Sequence, residues 1–507
     1  MKLKCLAAGA AACGAVTGAM VGAAPARADW RVAETPSFRI YSERSENELR
    51  RYARDLEIYD YILRQRFRLP DEPAAYKLPI FLVNESGLRT VSERLGSVGG
   101  VYFTASEGMF ALALHEAEDD ALLHEYFHHF SFQAGALSVA PGWMIEGLAE
   151  YYMTAEIRSD QVEVGHYNEG RAYSLLHTPW ISMEDLLTKR AGEVRPADRP
   201  GFYAQAWLLT HWFTSDPERN RRLVEYIRLV GDGVEPLEAM ESATGLDPDA
   251  LRAELRDCMR TRLMGTHYDF PAREVEVQVT RLPDAVGDLL LLGQRLKVGV
   301  PQEDRAETVE RVRRAAARHP DALYPQLQLG HAELHMGDAA EGERLLLAVL
   351  ERDPANVEAL QLMATRRLAQ ADETAEDPEP LRRQARTFLA RAYEADPDHY
   401  FTLLLIARSR IGAPGYPNDN DLLAWTGAFQ LAPQLPESRI GLAQALMMVD
   451  RHDEAAVLLR PLANAPHGGG AAAAAAALLE QAQAGAAPTA DVSLDEVEPA
   501  TPPDDEA

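Results

Sequence analysis

The 507-residue sequence is poor in cysteine, in positive charge and in long apolar runs. Its three cysteines are Cys5, Cys13 and Cys258, and the first two fall in the amino-terminal 28 residues. Without that segment Cys258 stands alone and no intrachain disulfide is possible, so a hydrophobic core has to hold the fold. Cys258 lies in a helical pattern, Asp249 to Met264, which predicts a buried, unreactive thiol. Acidic residues outnumber Lys and Arg by 78 to 51, a formal charge of −27. Such a balance argues against a nucleic-acid partner, whose phosphates require basic residues. Only Cys5 to Ala24 approaches the length of a membrane span.

That stretch follows Lys2 and Lys4, is dominated by Ala and Gly, and runs into Ala26-Arg27-Ala28, with small residues at both cleavage-recognition positions. The pattern predicts a secretory signal peptide over residues 1–28 and an exported protein, periplasmic or secreted, without stable membrane insertion. A retained anchor is the competing reading, and the weak hydrophobicity of the run disfavours it. Lipid attachment at Cys13 is weaker still, because Ala10 stands where a larger aliphatic residue belongs. Loss of Lys2, Lys4 and Arg27 takes the formal charge to −30.

The remainder is too long for a single core. Residues 29–281 mix strand and helix patterns. Ser37 to Tyr41 alternates like a strand, Glu46 to Arg66 carries apolar residues at helical spacing, and Leu78 to Val83 reads as a buried strand. Gly100 to Thr104 and Met109 to Leu114 flank Ala105-Ser106-Glu107-Gly108, predicting a hairpin that leads into a helix at about Asp119. The outer strand of that hairpin is placed to pair with an extended peptide. Glu274 to Thr280 alternates Val with polar residues and closes or covers this domain.

From residue 282 to 484 helical patterns alternate with breaks at Pro320, Pro354, Pro397, Pro433 and Pro466, spaced by 34, 43, 36 and 33 residues. The period and joints such as Arg352-Asp353-Pro354-Ala355-Asn356 and Ala395-Asp396-Pro397-Asp398 resemble tetratricopeptide repeats, helix pairs that bury their faces against their neighbours. Gly330, Ala359, Ala364 and Ala443 supply small side chains for close helix contact. The long interval is assigned to an acidic insert, Asp372 to Pro380, and the aromatic consensus of the family is largely missing, which leaves an irregular helical bundle as the alternative. Gly468 to Gly470 and the alanine run 471–477 are expected to form a loop and a capping helix. Residues 485–507 read as a disordered acidic tail.

The chemistry is concentrated in His124-Glu125-Tyr126-Phe127-His128 and in Glu146 and Glu150. Residues four apart share a helical face, so His124 and His128 point two imidazoles at one ion, and Glu125 reaches a water beside it. A carboxylate from a second helix, Glu146 or Glu150, completes a three-ligand Zn2+ site with one open position. His129 is turned about 100° from His128 and is expected behind the ligands or at the surface. His115-Glu116 has no second His one turn on and reads as a strand end. His211 reads as a core or substrate-pocket residue.

Pro141 to Tyr151 matches a Pro-x-Trp-x-x-Glu-Gly-x-Ala-Glu-Tyr stretch at every specified position, and with the first motif it resembles the gluzincin metallopeptidases, the superfamily of thermolysin and the zinc aminopeptidases. The resemblance implies an α+β zincin-like domain in which Glu146 is the third ligand, Glu150 hydrogen-bonds a ligand histidine and Glu125 is the general base. The gap from His128 to Glu146 is one residue shorter than in aminopeptidases of the superfamily. In those relatives a tyrosine further along stabilises the oxyanion, which makes Tyr203 the candidate. The metzincin pattern fails, because Ser131 and Ala134 stand where Gly and His are needed. The element with which aminopeptidases grip a free amino terminus is also missing, its nearest counterpart being Glu107-Gly108-Met109-Phe110, so an endopeptidase is favoured.

The sequence therefore predicts an exported zinc peptidase acting on a peptide or protein, with helical repeats that recruit substrate or a protein partner. A zinc-binding but non-catalytic repeat adaptor of the cell envelope is the alternative, disfavoured by the presence of Glu125. Hydrolysis of another amide remains open on the same ligand set.

Overall fold

The computed structural model describes residues 29–488 except 75, 96–98, 116–119, 136, 138–139, 159, 261–262, 375–376 and 466–468. The expected signal peptide, Glu116, Asp119, Gly468 and the tail beyond residue 488 lie outside the described residues.

Among the described residues, nine strands form two sheets. The larger sheet contains β1 (Arg31–Glu34), β2 (Phe38–Ser42), β3 (Leu78–Val83), β4 (Gly100–Ala105), β5 (Gly108–Leu114) and β9 (Gln278–Arg281), in the order β4-β5-β3-β2-β1-β9. β2, β3 and β5 run parallel, whereas β4, β1 and β9 are antiparallel to their neighbours. The hairpin strand β4 is thus one edge and β9 the other; of the alternating Val275, Val277 and Val279 only Val279 lies in β9. A smaller antiparallel sheet holds β6 (Glu156–Ile157), β7 (Gln161–Val164) and β8 (Thr266–Asp269). The sequence reading did not anticipate β1 or this second sheet.

Alternation along β3 divides the core between the two faces of the sheet. Leu78, Ile80 and Leu82 pack with Phe38, Ile40, Ala111 and Ala113 under α1 (Glu46–Arg66) and α3 (Asp120–Ala134). Phe81 and Val83 face the other way, onto α2 (Glu85–Val91), Trp30 and Leu290. α1 begins at the capping box of Ser45 and Glu48 and carries Arg64 and Arg66 in its last turn, signals that fix both ends from local sequence.

Cys258 ends the helix Pro248–Cys258 instead of sitting inside one that continues to Met264, and its thiol is only partly buried. The chain has to turn there to deliver β8 to β7, and that pairing overrides the helical pattern of the next residues.

Beyond β9 the chain is helical. Pairs Leu323–Met336 with Ala339–Arg352, Val357–Glu373 with Glu379–Ala395, Tyr400–Arg408 with Asp419–Leu431 and Pro436–Met447 with His452–Ala463 stack in order, and Gly469–Gln483 follows. The pairs recur at the spacing read in the sequence, each burying its faces against its neighbours. Gly330 is needed for the first pair, since a Cβ there would lie 2.9 Å from Leu346 Cδ2. The acidic insert is corrected: Asp372 and Glu373 end one helix, Glu379 and Pro380 begin the next, and each of these helices has 17 residues against 14 in the preceding pair.

The repeats do not stand apart from the sheet. Leu290 and the partly buried Leu282, Val286 and Leu291 join the core on its second face. Met109 of β5 enters the core of the repeats, where Tyr76 packs edge-on against Tyr400. The first helices of the pairs therefore form a face that the β4–β5 hairpin occupies.

Candidate metal centre

α3 lies between the sheet and α4 (Gly142–Tyr152). Its apolar face, Leu122, Leu123, Tyr126, Phe127 and Phe130, is buried, and Tyr126 donates a 2.6 Å hydrogen bond to Asp60 of α1. Asp60 is in turn held by Arg64 at 2.6 Å. On its far side, His129 Nδ1 is 2.8 Å from the Tyr102 hydroxyl of β4. Burial, with Arg64 nearby, pushes the His129 ring down to about 3, so it stays neutral. Rather than a surface group, His129 is a buried strut between α3 and the edge strand. His115 follows β5, its amide bonded to the Val83 carbonyl.

With α3 fixed on two sides, His124 and His128 project toward α4. Their Nε2 atoms are 3.0 Å apart, and Glu146 Oε2 is 3.4 Å from each. A tetrahedral ion with bonds of about 2.1 Å spaces its ligands by about 3.4 Å. Two edges of the triangle of two imidazole nitrogens and a carboxylate oxygen match that spacing and the third, between the Nε2 atoms, is 3.0 Å, so the three residues could hold one metal ion. Glu150, one turn along α4, lies on the opposite side of the His124 ring, with Oε1 3.3 Å from Nδ1. The geometry thus brings together His124, His128 and Glu146, and separates Glu150 from the triangle.

Both carboxylates are fully buried. A buried carboxylate needs a counter-charge, and Glu150 finds it in Arg171, whose Nε and Nη2 each donate at 2.7 Å. Burial alone would push the Glu150 carboxyl up, but Arg171 and His124 hold it at about 2. The sequence reading missed Arg171, which sits on α5 (Glu169–His177) behind the cap of Asn168. The available signal was the second acid of the Glu-Gly-x-Ala-Glu stretch, which demands a cation once it is inside. Glu146 and Glu150 also raise the affinity of His124 for a proton well above the ordinary imidazole value, against burial, which lowers it.

All of α4 is buried. It crosses α7 (Arg199–Thr214), which follows α6 (Met183–Thr188), at backbone contact. A Cβ on Gly147 would lie 2.3 Å from Thr210 Oγ1 and 2.5 Å from the Ala206 carbonyl oxygen. The glycine after Glu146 is thus a packing requirement that sets the depth of the carboxylate. Tyr203, also on α7, is buried with its ring 6.3 Å from the His124 ring and 5.0 Å from the Arg171 guanidinium carbon. His211, two turns on, gives Nε2 to the Met264 carbonyl at 3.1 Å and packs on Trp207, a core position away from the triangle. Glu125, next to His124 on α3, is partly exposed.

No protein-family model and no curated protein matches the sequence. Among solved structures, the chain is similar to a tetratricopeptide-repeat protein of Thermus thermophilus, with 18% identity and a TM-score of 0.33 over 39% of this chain and 99% of that one.

Proposed function

We propose that the protein is an exported zinc-dependent peptidase. The observation that carries this reading is the triangle of His124, His128 and Glu146, whose 3.0 to 3.4 Å edges suit one zinc ion. When bound, zinc supplies Lewis-acid polarisation of a carbonyl and lowers the pKa of a coordinated water to about 7.

The remaining roles belong to the chain. Glu150, clamped by Arg171, accepts from Nδ1 of His124 and so directs the Nε2 lone pair inward. Glu125, partly exposed beside the ligands, takes a proton from the attacking water and passes it to the departing amine. Tyr203 donates its phenol proton toward the developing oxyanion. β4 is an edge strand pinned to α3 through Tyr102 and His129, and its outer side is suited to align an extended substrate for internal cleavage.

The test compares the protein from Asp29 with Glu125→Gln for zinc content and hydrolysis of casein and quenched peptides. Both should hold zinc, with turnover lower by about 10²- to 10⁴-fold in the variant. Absence of zinc from the parent refutes the reading, and zinc in both without turnover in either favours the adaptor.

A further inference from the structure

A second constellation of metal-ligating side chains lies where the hairpin meets the repeats. β4 and β5 are joined by the two-residue loop Ser106 and Glu107, which reaches the first helices of the pairs. Ser106 hydrogen-bonds Glu437, itself held by Arg408 at 2.9 Å. Glu107 faces the helix Leu323–Met336, with Oε2 3.0 Å from His331 Nε2 and Oε1 3.8 Å from His335 Nε2. The two histidines are one turn apart and share a face of that helix.

We propose that Glu107, His331 and His335 form a second divalent-metal site, of the class that takes zinc, which clasps the β4–β5 hairpin to the repeat helices. One ligand atom from each of the three residues lies within 4.8 Å of the others, close enough for small side-chain rotations to bring all three onto one ion. Two imidazoles and a carboxylate suit zinc and its neighbours rather than magnesium or calcium. His331 is 2% exposed, its Nε2 meets Glu107, and among the described residues its Nδ1 has no hydrogen-bond partner. Two cations line the same cavity, but their closest polar contacts are with other groups: Lys297 reaches Glu358 at 3.3 Å while its charge also acts on Glu107, and Arg305 Nε donates to the Val300 carbonyl at 3.3 Å. A cavity of about 320 Å³ opens beside the three residues and has room for a water as fourth ligand.

The location gives the site its meaning. Glu107 sits on the loop that ends β4, and β4 touches the first centre through Tyr102 and His129. An ion here fixes the edge strand relative to the repeats, while the other centre keeps its own ligands. The inference does not depend on the first centre holding a metal.

The test counts tightly bound ions in the full chain after chelation, reconstitution with Zn2+ and desalting, and repeats the count with Co2+ and its visible spectrum. Because a more exposed group, Glu156, Glu163 and His166, also occurs among the described residues, the assignment rests on variants rather than on a total. The parent should lose one equivalent, and its Co2+ band, in both Glu107→Gln and His335→Gln. His335 is exposed, so its replacement leaves the core intact. The double variant His124→Ala/His128→Ala should retain the equivalent that His335→Gln removes. If that equivalent is present but the double variant loses nothing relative to the parent, the second site stands and the first reading falls. Equal ion counts in the parent, Glu107→Gln and His335→Gln overturn the proposal.

Discussion

Arg171 grips the buried carboxylate of Glu150 with two hydrogen bonds of 2.7 Å, and Glu150 in turn faces Nδ1 of His124. The ring that would bind the ion is therefore oriented by a charge pair outside the ligand triangle. Replacing Arg171 by Met should strand the carboxylate, destabilising the fold by about 3 to 5 kcal/mol and weakening zinc binding by about 10- to 100-fold. Denaturant unfolding and competition with a chelating dye measure the two effects. Unchanged zinc affinity would mean that the pair only supports the core.

Gly147 reports on the distance between α4 and α7. Gly147→Ala inserts a methyl into a space already filled by Thr210 and the Ala206 carbonyl, so the helices must separate. The expected cost is about 1 to 3 kcal/mol, with a loss of zinc affinity because Glu146 rides on the displaced helix. Thermal unfolding with and without zinc separates the two, and a smaller zinc-induced gain in the variant is the expected result.

Tyr203 offers a sharper kinetic test. If its phenol stabilises the oxyanion, Tyr203→Phe should lower kcat by about 10²- to 10³-fold with little change in KM or zinc content. Steady-state kinetics on a quenched peptide decide it. A variant with full kcat would assign Tyr203 to packing beneath Arg171.

His211 should leave a mark on the pH dependence of stability. Burial holds its pKa below the ordinary imidazole value, and the bond to Met264 only partly opposes this. The unfolded chain therefore takes up a proton that the folded chain refuses, and stability falls as the pH drops below about 6.5. His211→Phe should flatten that decline between about pH 7 and 5 in urea titrations. Identical slopes in parent and variant would show that the ring titrates normally.

Residues whose partners are local were legible in the sequence. α1 and β3 follow from periodicity and caps within their own spans, and the helical spacing of His124 and His128 needs nothing beyond the helix. Glu146 and Glu150 stood out as a pair, but only the packing of α3 on α4 separates their positions, one at Nε2 and the other at Nδ1. Arg171 was hidden because its role depends on a carboxylate 21 residues away. The helix expected to run to Met264 stops early because a strand partner, β7, competes for the chain. Glu107 was legible only as part of the hairpin turn, since nothing local announces two histidines more than 200 residues further on.

Trp30 and Phe81 share one buried cluster with Leu290, and the Leu282 amide bonds the Trp30 carbonyl at 2.8 Å. A cut at this joint would leave each fragment with a raw apolar surface that the other had sealed. The joint thus works like a shared wall between two rooms: taking down either half would lay open part of the other's interior to water.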